Sequence, residues 1–208
     1  MGVSVVAAYS LLIVFAHFES LALVDLLLTY DFVLFGLVFL SQLMSYEGNY
    51  IDGLMTRRES IYTLLRAKYL LYVVALLLPA LLTLPLALSG KALWTSWIGW
   101  TLFTAGPVYF CLFQTAVYNK MTLDPNAKLT AMKGSGQAWQ YLLAGLAFAV
   151  PMALSYILRT TLGMTMAGWV MASIGVLFIA TSNLWLRNVY RRFMKRRYIN
   201  MEGFRNRT

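Results

Sequence analysis

Residues 46–68 read YEGNYIDGLMTRRESIYTLLRAK. This polar stretch separates two runs apolar enough for lipid, and its reading decides the fold. The chain around it is extreme in composition: of 208 residues, 60% are apolar and 12% charged, with a mean hydropathy of +0.67. A soluble domain is roughly 45–50% apolar and about 25% charged. Too little polar sequence remains to cover the core that this much apolar surface would build, so an integral membrane protein is expected.

Crossing a bilayer takes about 20 mostly apolar residues, with a range of about 17–25. Six stretches meet or approach that length, at 3–18, 30–45, 69–89, 93–118, 141–158 and 166–186. The run Leu21 to Leu28 ahead of the second is also apolar, is interrupted by Asp25, and is expected at the interface. The first run lacks the basic n-region and small-residue cleavage site of a signal peptide, so it is expected to be retained as a span.

Basic residues orient the spans. Segment 46–68, segment 119–139 and the tail 187–208 hold all of the 17 basic residues except Lys91 and Arg159. The first of the remaining connections carries Glu19, Asp25 and Asp31 instead. Alternate connections are therefore basic, which predicts an all-α, polytopic, single-domain membrane protein of six transmembrane helices, N-in and C-in, in the cytoplasmic membrane. The net charge of +9 then reflects lipid headgroups beside the span ends and no nucleic-acid partner. Trp94, Trp97 and Trp100 recur at one-turn spacing, and with Trp139 and Trp185 they are expected as interfacial anchors. The spans carry no ionisable side chain well inside them, which argues against a proton- or ion-coupled carrier.

Several chemistries are excluded outright. No G-x-x-x-x-G-K-[ST] is present to cradle a nucleotide, and Lys133-Gly-Ser-Gly-Gln137 is too short and misplaces its lysine. One histidine, His17, and one cysteine, Cys111, cannot build a metal cluster, a disulfide or a nucleophile–base pair. Asp52-Gly-Leu-Met-Thr-Arg57 resembles the opening of the CDP-alcohol phosphotransferase signature. That signature needs a further Asp where the chain has Asn49, and a later aspartate pair that the chain lacks. Without clustered carboxylates a hard divalent cation has no ligand set. No catalytic residue, metal or cofactor is expected.

The opening stretch itself reads as two helical pieces. Ile51, Leu54 and Met55 fall at helical spacing and extend the second span into the cytosol. Thr56-Arg57-Arg58-Glu59 is an S/T-x-x-E capping box that starts a new helix. Ile61, Leu64 and Leu65 give that helix an apolar face as it runs through Arg66 and Lys68 into the third span. The expectation is a cytosolic helical hairpin between spans two and three with Arg57 and Arg58 at its tip. The tail places Leu186, Val189, Tyr190 and Phe193 on one face with Arg191, Arg192 and Lys195 around them, as a membrane-surface anchor would.

The run from Glu47 through Leu64, Leu65, Ala67 and Lys68 resembles the cytosolic coupling region of permease subunits of type-2 ABC exporters. The wording of 49–56, and Arg-Tyr-Ile-Asn-Met-Glu-Gly-Phe-Arg at 197–205, is similar to an uncharacterised branch of such permeases. Members of that branch tend to be longer, which implies that this chain corresponds to a C-terminal half, another fragment, or a diverged paralogue. The resemblance implies a separate P-loop ATPase subunit gripped through Glu47, Thr56, Arg57, Arg58, Glu59 and Lys68. It also implies a second permease half, contact with membrane lipid, and ATP hydrolysis in the partner alone. A non-transporting membrane scaffold and a small secondary carrier are the alternatives.

Overall fold

The computed structural model describes residues 2–15, 21–40, 43, 53, 61–114, 117 and 138–198, and every extended element among them is helical. The helices are α1 (Gly2–Phe15), α2 (Leu21–Leu40), α3 (Ile61–Ala75), α4 (Leu77–Leu88), α5 (Trp94–Phe103), α6 (Tyr109–Phe113), α7 (Ala138–Leu162), α8 (Met164–Ala180) and α9 (Ser182–Lys195). A π-helical turn, Thr104–Val108, joins α5 to α6.

Helix α2 carries apolar residues on all sides, and a helix of that kind belongs in the interior. It occupies the centre of the bundle, touching α1, α4, α5, the π turn, α6 and α7. The apolar runs at 21–28 and 30–45 are thus not an interfacial dip followed by a span. They are largely one helix.

Helices α3 and α4 form one continuous rod, Ile61–Leu88, of 28 residues. The joint falls at Leu76 because Pro79 has no N–H to give Ala75, while Leu76 N–H still reaches the Tyr72 carbonyl at 2.9 Å. At about 1.5 Å per residue the rod exceeds the roughly 30 Å of bilayer hydrocarbon. Its outer face is a run of exposed apolar side chains, Leu70, Leu71, Val74, Leu77, Leu81 and Leu88. A contiguous apolar exterior of that size marks contact with lipid or with another protein. Among the described residues this rod is the one helix that is by itself long and apolar enough to cross a membrane. The bent pair Met164–Ala180 and Ser182–Lys195 passes the same test together.

The tightest contact in the bundle lies between α5 with the π turn and α8, and glycine makes it possible. Gly99 and Gly106 face Gly168 and Gly175, each pair seven residues apart. A Cβ on Gly99 or Gly106 would sit 2.7 Å from the Gly168 or Gly175 carbonyl oxygen, and one on Gly175 would lie 2.5 Å from Leu102 backbone. No side chain fits there, so the two backbones pack directly, as small residues allow between membrane helices.

Helix α9 leaves α8 at a bend of 59°. Thr181 Oγ1 donates back to the Leu177 carbonyl at 2.8 Å, a bond that bends helices. The bend lays the apolar face of α9 (Trp185, Leu186, Val189 and Phe193, all buried) against α3, where Tyr62 meets Tyr190 edge-on. The sequence suggested that this face lies in the membrane surface. It is instead consumed by packing on α3, which leaves Arg187, Arg191 and Lys195 exposed.

Candidate functional site

Of the side chains expected to grip an ATPase, Glu47, Thr56, Arg57, Arg58 and Glu59 lie outside the described residues, as do the capping box and the hairpin tip. The helix expected to follow them is present from Ile61 and runs into α4 as one rod. Lys68 is half-buried on α3, and its ammonium donates to the Leu43 carbonyl beyond the end of α2. Lys68 thereby ties α3 to α2.

Two further bonds fix α3 to the glycine-packed pair. Tyr69 Oη donates to the Ala105 carbonyl at 3.2 Å, inside the π turn where Pro107 interrupts the ladder. Tyr109 Oη donates to the Tyr72 carbonyl at 3.2 Å. Trp185 then closes the group: its ring lies 5.2 Å from Tyr69 and 5.7 Å from both Phe110 and Phe113, all edge-to-face, and its N–H reaches the Phe178 carbonyl at 3.0 Å. Edge-to-face pairs add about 0.5–1.5 kcal/mol each beyond area burial. Trp185 was expected at the membrane interface. Its partners require it in the core.

The middle and the opposite end of the bundle hold what the sequence reading missed. Asp31, at the midpoint of α2, is fully buried, and Ser10 Oγ donates to its Oδ2 at 2.7 Å. Asp25, one turn into α2, pairs with Arg159 of α7 and accepts the Trp100 indole N–H at 3.4 Å. Thr29 donates to the Asp25 carbonyl at 2.8 Å. The second carboxylate oxygen of each aspartate has no partner among the described residues. The expectation of no ionisable group well inside the helices therefore fails at Asp31, and Asp25 is buried one turn into the same helix. A charge in an apolar interior is tolerated when it is paired, and Arg159 supplies the pair for Asp25. The sequence did hold a signal. Arg159 is one of only two basic residues outside the basic segments, and Asp25 lies in the acidic connection assigned to the same side.

Trp100 follows from this pairing. It is 1% exposed, so of the three regularly spaced tryptophans it serves Asp25 and not the interface; Trp97 donates to Thr83 at 3.2 Å, while Trp94 is exposed. Beside the Asp25–Arg159 pair lies a cavity of about 560 Å³ between α2 and α7, walled by Leu26, Thr29, Met152, Ser155, Tyr156 and Arg159. Among the described residues no group of three or more His, Cys, Asp or Glu side chains could hold a metal ion.

These features define an all-helical bundle with a membrane-length apolar rod, buried ion pairing at one end and aromatic bracing at the other. The chain belongs to a family of unknown function (DUF5687), which matches residues 4–207. No curated protein and no solved structure matches it.

Proposed function

We propose that the chain is the membrane-spanning permease subunit of an ATP-driven exporter, crossing the cytoplasmic membrane six times with both ends inside. ATP hydrolysis would belong to a separate P-loop subunit, and a second permease half would complete the pathway. The observation that carries this reading is the rod Ile61–Leu88. It follows the basic segment 46–60 in the sequence as an apolar, membrane-length helix, and α9 braces its near end. The contacts Ser10–Asp31, Asp25–Trp100 and Lys68–Leu43 fit successive helices that run in alternating directions.

In this reading Arg57, Arg58 and Glu59 dock on the ATPase, since rim charges steer and register such contacts. A displacement there enters α3, and Lys68, Tyr69 and Tyr109 hand it to α2 and to the glycine-packed pair α5–α8. The test is co-purification. Tagged protein should retain a P-loop ATPase, identified by peptide mass, and Arg57→Glu with Arg58→Glu should abolish its retention. If no ATPase is retained, or if the double variant retains it equally, the exporter reading fails and a scaffold is favoured.

A second reading, a small secondary carrier, is favoured by one observation: Asp25 and Asp31 are carboxylates buried among the helices, with half-buried Arg159 paired to the first, a common mark of ion-coupled transport. Such a carrier would move substrate in liposomes on an ion gradient alone, without ATP.

A further inference from the structure

We propose that the cavity between α2 and α7 is a binding site for one phospholipid with a zwitterionic, amine-bearing headgroup of the phosphatidylethanolamine type. Its phosphate would rest on Arg159 and one acyl chain would lie along α7 toward Met152. The inference rests on the chain being embedded in a bilayer and is independent of the exporter reading.

Position comes first. Arg159 lies three residues before the end of α7, Asp25 lies in the first turns of α2, and Trp94 opens α5, so the polar end of the cavity sits at one rim of the bundle. From Arg159 to Met152 is seven residues, about 10 Å along a helix, which stays within one leaflet of a bilayer whose hydrocarbon is about 30 Å thick. The volume of about 560 Å³ falls in the roughly 300–1,000 Å³ range of sites that enclose small molecules. Leu26 and Tyr156 on its walls are both exposed, so the cavity is reached from the outer surface of the bundle.

Chemistry then selects the headgroup. Below Arg159 the cavity is mostly apolar, with Ser155 on its wall, and the Thr29 and Thr160 hydroxyls are already turned to backbone carbonyls of their own helices. That interior suits an acyl chain, and Met152 adapts to its shape. Arg159 carries five N–H donors, and among the described residues Asp25 is its acceptor, through one carboxylate oxygen. Donors remain for a phosphate, the ligand that guanidinium geometry fits best. The Asp25–Arg159 pair is neutral as a unit, so an anionic headgroup would bring uncompensated negative charge beside Asp25. A zwitterion would not. Its ammonium has three N–H donors to offer, and Asp25 Oδ1, buried beside the cavity behind Arg159, has no donor among the described residues.

The test uses a phosphatidylethanolamine carrying a diazirine midway along one acyl chain, photolysed with the full-length protein in phosphatidylcholine bilayers. We expect saturable label on the peptide spanning Met152–Arg159, displaced by unlabelled phosphatidylethanolamine. Phosphatidylglycerol and phosphatidylcholine should displace it about tenfold less well, the factor that one charge-assisted hydrogen bond accounts for. Asp25→Asn with Arg159→Gln removes both charges without stranding either, and should erase that preference. Met152→Trp fills the cavity while keeping the ion pair, and should remove the α7 label but leave the label on the exposed face of α4. Equal displacement by phosphatidylglycerol overturns the headgroup assignment. Label on α4 with no saturable label on α7 overturns the site and keeps the bilayer premise, whereas absence of label from both overturns the premise as well.

Discussion

At one rim of the bundle Asp25, Arg159 and Trp100 hold α2, α7 and α5 together through charge; at the other, the Trp185 ring packs on Tyr69 of α3 and on Phe110 and Phe113 of α6, and its N–H reaches the Phe178 carbonyl of α8. The two solutions suit different tasks. An ion pair in an apolar setting is stable only while both members are present, so that rim responds steeply to changes in charge. Aromatic packing is insensitive to charge and transmits displacement, because close-packed rings have no room to give. The charged rim borders a cavity, and the aromatic rim borders the rod that enters from the basic segment.

The largest effects should separate the two rims by how they are rescued. Arg159→Gln leaves the Asp25 carboxylate buried and unpaired and is expected to cost about 3–5 kcal/mol; Asp25→Asn with Arg159→Gln should recover most of it. Trp185→Ala, at about 3–5 kcal/mol, should be rescued by no charge change. Thermal unfolding of the purified protein in one detergent, followed by circular dichroism, reads both. Full cost remaining in the double variant would show that the rim is not held by charge.

A smaller effect is expected at the glycine seam between the rims. Gly175→Ala places a methyl group 2.5 Å from the Leu102 backbone and should cost about 1–3 kcal/mol by overpacking. Gly145→Ala, where nothing among the described residues lies within 4 Å of the added carbon, should be neutral or slightly stabilising in the same melt. Equal melting of the two variants would refute direct backbone packing of α5 on α8. The smallest effect belongs to the outside of the rod: Leu71→Ala, at a side chain 63% exposed, should change stability by no more than about 0.5 kcal/mol. A larger loss would mean that a protein surface, and not lipid, covers that face.

The sequence made the aromatic rim half legible. Apolar spacing announced both the helix from Ile61 and the stripe on α9, but the stripe was assigned to lipid because periodicity shows that a face is apolar and not what covers it. Only the bend at Thr181 brings it onto α3. The charged rim was harder. Asp25 and Asp31 looked like residues of an exposed connection, since burial of a carboxylate depends on a partner 134 positions away in one case and on Ser10 of α1 in the other. The heptad spacing of Gly99 with Gly106 and of Gly168 with Gly175 was visible, yet spacing on one helix does not say which helix it meets. Lys68 was expected to grip an ATPase partner, and in the structure its ammonium holds the Leu43 carbonyl.

The proposed export role requires Ile61–Leu88 to cross the bilayer with the basic segment on the inside. Single cysteines at Gly53 and Lys91 bracket that rod, in a Cys111→Ser background. A membrane-impermeant maleimide should label the Gly53→Cys protein in inside-out vesicles alone and the Lys91→Cys protein in right-side-out vesicles alone. Labelling of both from the same face would contradict the crossing and everything built on it.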